Sequence, residues 1–559
     1  MPQSVVVYVD ISGIQGYIFG SNRLRENIGA SYLVKVASSI PNLAKKQAGW
    51  IKPDNGSVIF AGGGKACLIF PSQQAAKDWT RAYTLCVLRD APGLRCAVGH
   101  SEPFAYAAAG TDLTKYINAA QKDARRVASM YAPFAPTLGL GVTVPCRSTG
   151  LVAVGQRRKI DGVPDEEGAN DYPVSREIQA KTQAASRTES GTNDAAMKDL
   201  LSLLPALEEV TKKYSIARDF DDFGRKTGDY SYLAVVHADG NGIGNLFTTL
   251  HTAKLPDLDY QKAYGALSEL VNVLGAKAMD ETIKHAAFIM PNGAFKDIVE
   301  HLNRDPETDQ PFFPLRPLVY GGDDITFVCD ARLALTLTPY LLEQFELQSA
   351  TLLSAFKSAY SLPNFPDKLT ACAGITIFKT HYPFARAYAM CEELCQSAKQ
   401  FSQQVANKTV SALDWQVAPS GRVDDLEALR EHEYHISKTE SLTLRPVLLD
   451  SDQTWRTWSN VQKALEGFGN DWRERRNKLI AFQDVNRQGE QATRNWQKNL
   501  NNPLVLQKFG ATRVDDGATW VDDDAPIPDQ PIRQISLYFD VIELLEHYRA
   551  LEEAQEQIG

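Results

Sequence analysis

The sequence predicts an α+β fold: two ferredoxin-like βαββαβ units followed by a helical C-terminal domain. Three observations predict it. Residues 318–328 place two apolar, β-branched runs around Gly321-Gly322-Asp323-Asp324, the pattern of a buried hairpin with an acidic tip. Residues 232–244 form a second apolar run that ends in Asp239 and then Gly240-Asn241-Gly242-Ile243-Gly244. The order strand ending in Asp and glycines, helix, Gly-Gly hairpin, helix, strand also occurs earlier in the chain, and such a repeat fixes architecture before any local reading.

In the first copy, residues 5–10 are the strand and residues 27–44 a helix, in which Gly29, Ala30 and Ser31 permit close packing or close approach of a ligand. A hairpin over 57–70 turns at Gly62-Gly63-Gly64, followed by a helix near 73–88 and a strand near 94–98. In the second copy the pieces are 232–239, a helix across 262–285, the hairpin at Gly321, a helix over 331–359, a strand over 370–378 and a closing helix over 384–403. The βαββαβ plan is the one on which nucleotide-polymerising palms are built. Four regions follow: a degenerate palm-like domain over 1–110, a helical and polar connecting region over 111–228, a palm domain carrying the GGDD turn over 229–415, and the helical domain over 416–559. In the connecting region, 111–130 reads as a helix, and 155–194 is too polar to bury much surface and reads in part as a mobile loop. Residues 292–317 read as a loop inserted before the hairpin. Helical patterns across 455–482 and 537–558 enclose a polar, proline-bearing stretch over 486–531.

With 559 residues, the chain is long enough for two to four cores. A formal net charge of -9 argues against a molecule that is basic throughout, as nucleic-acid binders often are, but leaves room for local basic grooves. No apolar run is long enough to cross a bilayer and no signal segment opens the chain, so no membrane association and a cytoplasmic location are expected. The eight cysteines lack the CxxC pairs of a structural zinc site and are expected to be reduced and buried. Cys391 and Cys395, four apart, suit helix packing.

Two adjacent carboxylates at a rigid turn repel and raise each other's pKa unless a positive group sits there. A divalent cation is the natural partner, and magnesium takes one or two protein carboxylates beside water and substrate phosphate. Asp239, Asp323 and Asp324 are therefore the candidate metal ligands and catalytic acids for phosphoryl transfer to a hydroxyl. The Gly240, Asn241, Gly242, Ile243 and Gly244 backbone runs into a helix start, where free N–H groups favour phosphate. Gly321 and Gly322 allow close approach at the turn. Lys399 either reaches the phosphates as a point charge or is a solvated surface lysine. His237, on the same strand face as Asp239, suits a supporting role more than that of a general base. The first copy has Asp10 but Gly64 and Lys65 in place of the hairpin acids, so it can at most bind a nucleotide or phosphate.

The GGDD hairpin, the strand ending in Asp239, Ala373-Gly374-Ile375-Thr376-Ile377-Phe378-Lys379 leading to Pro383, and Ala398-Lys399 resemble the second palm of the large subunit of type III CRISPR effector complexes, the polymerase/cyclase family of the Csm and Cmr systems. The span from Asp10 to Leu33 with Gly62-Gly63-Gly64 is similar to that family's degenerate first palm. The resemblance implies a nucleotidyltransferase that joins ATP into cyclic oligoadenylate with Mg²⁺ or Mn²⁺, releasing pyrophosphate. It carries the metal ligands onto Asp239, Asp323 and Asp324. It implies RNA or other effector subunits as partners. Two departures stand out: the chain has no His-Asp dipeptide and no histidine before His100, and it offers only Cys146 where family members carry a four-cysteine zinc module. A compact member without the histidine-aspartate nuclease is expected. Two other readings stay open: a cyclase making a small cyclic mono- or dinucleotide, and a scaffold subunit that binds nucleotide or RNA without turnover.

Overall fold

The computed structural model describes residues 3–38, 56–107, 112–130, 141–156, 172–186, 195–223, 231–290, 295, 298–299, 302–419, 425–471, 476–499, 518–524 and 533–549. Its elements are named here in chain order. The first sheet is built from β1 (Val5–Ser12), β2 (Ser57–Gly62), β3 (Lys65–Phe70) and β4 (Arg95–His100), with α1 (Ile14–Phe19), α2 (Leu24–Ser38), α3 (Gln73–Asp90) and α4 (Leu113–Met130) around it. Its strand order is β2-β3-β1-β4. The connecting region adds α5 (Arg176–Ala184) and α6 (Ala195–Leu203). The second sheet contains β5 (Tyr232–Gly240), β6 (Leu315–Gly321), β7 (Asp324–Asp330) and β8 (Ala371–Lys379), with α7 (Ile243–Thr252), α8 (Asp257–Ile289), α9 (Ala331–Tyr360) and α10 (Phe384–Ala406). These four strands lie in the order β6-β7-β5-β8, antiparallel throughout. Both sheets thus set a hairpin beside a central strand whose other neighbour closes the unit.

The equivalence holds residue by residue. Asp10 faces Lys65 across β1 and β3, and Asp239 faces Asp324 across β5 and β7. Tyr8 faces Gly99, and His237 faces Gly374. At both glycines a helix presses on the sheet: a Cβ on Gly99 would sit 2.1 Å from Ala124 N on α4, and one on Gly374 would sit 2.1 Å from Cys391 O on α10. Only a residue without a side chain admits a backbone that close. Helix α4, read from sequence as part of the connecting region, therefore closes the first unit as α10 closes the second.

Strand alternation sends side chains to two faces, and each face feeds a different core. Ala234, Val236 and Ala238 join the core that includes Leu274, Phe345, Ile117 and Ala120. Leu233 and Val235 join the core that includes Val5, Val7, Leu33, Phe384 and Cys391. Each core draws on both units, so neither buries its faces alone. All eight cysteines are buried and free, as expected.

Two expectations are corrected and a third is narrowed. The stretch over 155–194, read in part as a loop, contains in its described part helix α5: Ser175 accepts from Ile178 N at 3.4 Å, and Lys181 donates to Tyr17 O at 2.7 Å. A Cβ on Gly29 would meet Lys181 O at 1.8 Å, so Gly29 serves that helix contact. Residues 157–171 and 187–194 of this stretch lie outside the described residues. The second sheet also runs past residue 415: β9 (Ala412–Val417) pairs in parallel with β8, with α10 as the crossover, and β10 (Val447–Leu448) follows it. Finally, the C-terminal region is not purely helical. Its helices Leu426–Glu433, Trp458–Asp471, Arg476–Asn486, Glu490–Lys498 and Phe539–Leu544 surround a four-stranded sheet of two- and three-residue strands. Strands that short carry no readable alternation.

Candidate functional site

A cavity of about 840 Å³ opens between the two units. The first unit contributes Gln15, Ser31, Lys35 and Gly62-Gly63-Gly64, and the second contributes His237, Asp239, Tyr320, Gly321, Asp323, Asp324 and Lys399. The acid tip is placed by β5 and β7, whose interiors are buried and apolar except for His237 and Thr326, which pair with each other. Gly240 is needed behind it, since a Cβ there would lie 2.9 Å from that of Asp323.

Each acid has a different environment. Asp239 forms an ion pair with Lys399, whose side chain is only 16% exposed and so is not the solvated surface lysine. Burial works against the Lys399 charge, but the Asp239 carboxylate outweighs it and holds the ammonium above its ordinary value. Asp324 Oδ2 accepts a hydrogen bond from Gln15 Nε2 at 2.7 Å. Its Oδ1 is buried with no hydrogen bond of its own, 3.2 Å from His237 Nδ1. His237 Nδ1 shares a hydrogen bond with Thr326 Oγ1 at 3.1 Å, so this ring supports the tip from within the sheet. Burial, together with the charges of Asp239 and Asp324, pushes Asp323 up to about 6.

The glycine-rich turn is arranged differently from the expectation. Gly242 takes the left-handed conformation (φ 74°) that starts α7, as Gly13 (φ 68°) does before α1. Asn241 is buried: its N–H donates to Thr370 O at 2.7 Å and its side-chain amide to Thr370 Oγ1 at 2.9 Å. Both groups are thus committed to Thr370, just before β8, and Asn241 holds the turn in place. None of Gly240, Asn241, Gly242, Ile243 and Gly244 lines the cavity, whereas Gly321 does and Gly322 does not.

Sequence reading did not find Gln15, Tyr388 or Asn272. Tyr388 OH donates to Gln15 Oε1 at 2.7 Å, and Asn272 Nδ2 donates to Ala61 O at 3.0 Å. The repeat offered one clue, since Gln15 follows Asp10 at the interval by which Gly244 follows Asp239. Nothing in the pattern of either segment says that they meet.

Among the described residues no group of three or more His, Cys, Asp and Glu side chains is gathered as a metal site. Asp239 is turned to Lys399 and Asp324 to Gln15. The donor set still fits a hard divalent cation: two carboxylates face each other on adjacent strands with a third in the turn beside them, one buried oxygen lacks a hydrogen bond, and Asp323 is held towards protonation by burial and its neighbours' charge. No described helix is long and apolar enough to cross a membrane.

Residues 232–407 match the family described as Cas10/Cmr2, second palm domain. The match bears out the resemblance to the large subunit of type III CRISPR effector complexes. A solved structure described as the Csm1-Csm4 cassette in complex with AMPPNP is 13% identical, over 98% of this chain and 70% of that one, with a TM-score of 0.45. The cassette in complex with pppApApA is 14% identical over 87% of this chain and 62% of that one, TM-score 0.42. The cassette in complex with cA4 is 14% identical over 84% and 64%, TM-score 0.38. The chain thus spans less than two thirds of the length of the last two. No curated protein matches it.

Proposed function

We propose that this chain, a Cas10-type large subunit by the palm domain it carries, is a nucleotidyltransferase that joins ATP into cyclic oligoadenylate. One observation carries the reading: Asp239, Asp323, Asp324 and Lys399 converge on a cavity large enough for nucleotides, between two units of equivalent strand order. We read the first unit as the degenerate palm and the second as the catalytic one. Among its described lining residues the cavity has six carboxylates (Asp239, Glu269, Asp323, Asp324, Glu392, Glu393) and two lysines (Lys35, Lys399). A triphosphate entering such a field needs added positive charge.

Asp239, Asp323 and Asp324 would hold Mg²⁺ or Mn²⁺. When bound, that ion lowers the pKa of the attacking hydroxyl and neutralises charge on the leaving pyrophosphate. Lys399, paired with Asp239 here, would be free to turn its ammonium to a phosphate oxygen if Asp239 held a cation instead. The 3'-hydroxyl of one ATP attacks the α-phosphorus of the next, the P–O bond to pyrophosphate breaks, and the hydroxyl proton passes to solvent. His237 keeps Asp324 in place. The Csm1 relatives crystallised with Csm4 support an effector subunit as partner here, with activating RNA as the other candidate.

The test is incubation of the purified protein with each nucleoside triphosphate and Mg²⁺ or Mn²⁺, with products read by mass spectrometry. Cyclic oligoadenylate from the wild type, absent from Asp323→Ala with Asp324→Ala, is expected. A cyclic mono- or dinucleotide would replace the product in this reading. A second reading, a nucleotide- or RNA-binding subunit without turnover, is favoured by the Asp239–Lys399 pair, which occupies one of the three acids. No pyrophosphate release with or without RNA and partner subunits would select it.

A further inference from the structure

The acid tip is not held by its own unit alone. Gln15 belongs to α1 of the first unit, yet its Nε2 donates to Asp324 Oδ2 at 2.7 Å, across 309 residues of sequence. The direction of this amide is fixed from behind. Tyr388 OH donates to Gln15 Oε1 at 2.7 Å, and a phenol this deeply buried stays protonated, because burial raises its pKa far above the ordinary tyrosine value. With Oε1 accepting from Tyr388, the nitrogen end must face Asp324. Tyr388 is itself pinned, stacked on Phe19 of α1 with ring centroids 3.6 Å apart and set edge-on to His237 at 5.7 Å. Asp324 is thus gripped from two sides: Gln15 from the first unit on Oδ2, and the His237 ring from its own sheet beside Oδ1.

We propose that Gln15 is a positioning residue for the acid tip: through this one amide the first unit sets the direction in which Asp324 presents its carboxylate, and so the tip's affinity for a divalent cation. The inference rests on the metal-dependent reading above. It also gives the first unit a task that survives the loss of its own acids. A partner that orients a ligating carboxylate typically contributes 10- to 100-fold in metal affinity. Rearrangement of α1 against α10 would change the tip without touching a ligand.

The test uses the full chain. Mn²⁺ binding is measured by titration calorimetry in the wild type, Gln15→Ala and Tyr388→Phe, beside pyrophosphate release. Gln15→Ala is expected to weaken Mn²⁺ about tenfold, with excess Mn²⁺ restoring turnover and KM for nucleotide within about twofold of wild type. Tyr388→Phe, which frees the amide to rotate, falls between. An amide that only ties the units together would lower the melting temperature of Gln15→Ala and leave Mn²⁺ affinity unchanged, which overturns the proposal. A double-mutant cycle of Gln15→Ala and Asp324→Ala on the metal-free melting temperature separates this inference from the proposed function. Should the wild type take up no Mn²⁺, the metal reading falls, and non-additive shifts would leave the Gln15–Asp324 coupling standing. Additive shifts overturn it.

Discussion

The two hairpin tips of this chain occupy equivalent places in equivalent sheets and carry opposite chemistry. In the second, Asp239 faces Asp324 and the turn between the strands holds Gly322 and Asp323. In the first, Asp10 faces Lys65 and the turn holds Gly63 and Gly64. What lies beneath the tips has not diverged: Gly99 and Gly374 stand opposite the corresponding central-strand residues, and each admits a helix at the same closeness. Packing constrains a buried glycine whatever the site does, while a tip that lines a cavity is freer to change charge. The comparison teaches where the first unit meets the second: through Gln15 on Asp324, Ser31 on Leu318 O and the strand before the glycine turn, where Ala61 O accepts from Asn272.

The strongest way to break this comparison is to make the second tip like the first. Asp323→Ala with Asp324→Ala should reduce pyrophosphate release on the order of 10³-fold, while the melting temperature holds or rises because like charges have been removed. Retained turnover would mean that the tips differ only in appearance. The next largest effect is on packing. Gly99→Ala would set a Cβ 2.1 Å from Ala124 N and 2.2 Å from Ala120 O, and Gly374→Ala one 2.1 Å from Cys391 O and 2.6 Å from Cys395 N. Backbone cannot step aside as a side-chain end can, so each should cost about 1–3 kcal/mol in urea denaturation. Similar losses at the two sites would uphold the equivalence, and a neutral Gly99→Ala would end it.

Much of this was legible in the sequence for a physical reason. Central strands buried on both faces read as long β-branched runs, and the tips of such strands are where Asp and Gly interrupt them, so β1, β5 and both hairpins stand out. From sequence, Lys399 reads as either a phosphate-reaching charge or a solvated surface lysine, and its pairing with Asp239 is in neither reading. Gln15, Tyr388 and Asn272 act across the interface between units, and no local pattern encodes which surfaces meet. Asn241 misled because a glycine-rich turn before a helix looks the same whether its amides face a ligand or the next strand. The C-terminal sheet escaped because its strands are shorter than one full alternation.

A smaller effect tests the electrostatic side of the comparison. Asp323 is pushed from about 3.8 to about 6 by burial and its neighbours' charge, so the folded state prefers it protonated. The stability it contributes is fully present below about 3.8 and is lost as pH rises through about 6, on the order of 3 kcal/mol in all. The metal-free protein should melt lower at pH 7 than at pH 5 from this group, and Asp323→Asn should remove that part of the slope. Because Mn²⁺ competes with the same proton, its apparent affinity should weaken below about pH 6. A wild-type slope identical to that of the variant would show that Asp323 ionises freely.

The smallest expected effect comes from making the first tip more like the second. Lys65→Asp puts a second carboxylate opposite Asp10, and like charges directly across a strand pair should cost about 0.2–1 kcal/mol. It should not create a second metal centre. The position that corresponds to Asp323 is Gly64, held at φ +76°, where a Cβ would meet Ile14 Cδ1 at 2.3 Å. The end of Ile14 could step aside, but a side chain there is strained by the backbone itself. Calorimetry should therefore find the wild-type number of Mn²⁺ ions on Lys65→Asp. An extra ion would show that tip charge alone separates the two sites, whereas an unchanged count would place the difference in the turn that Gly64 makes.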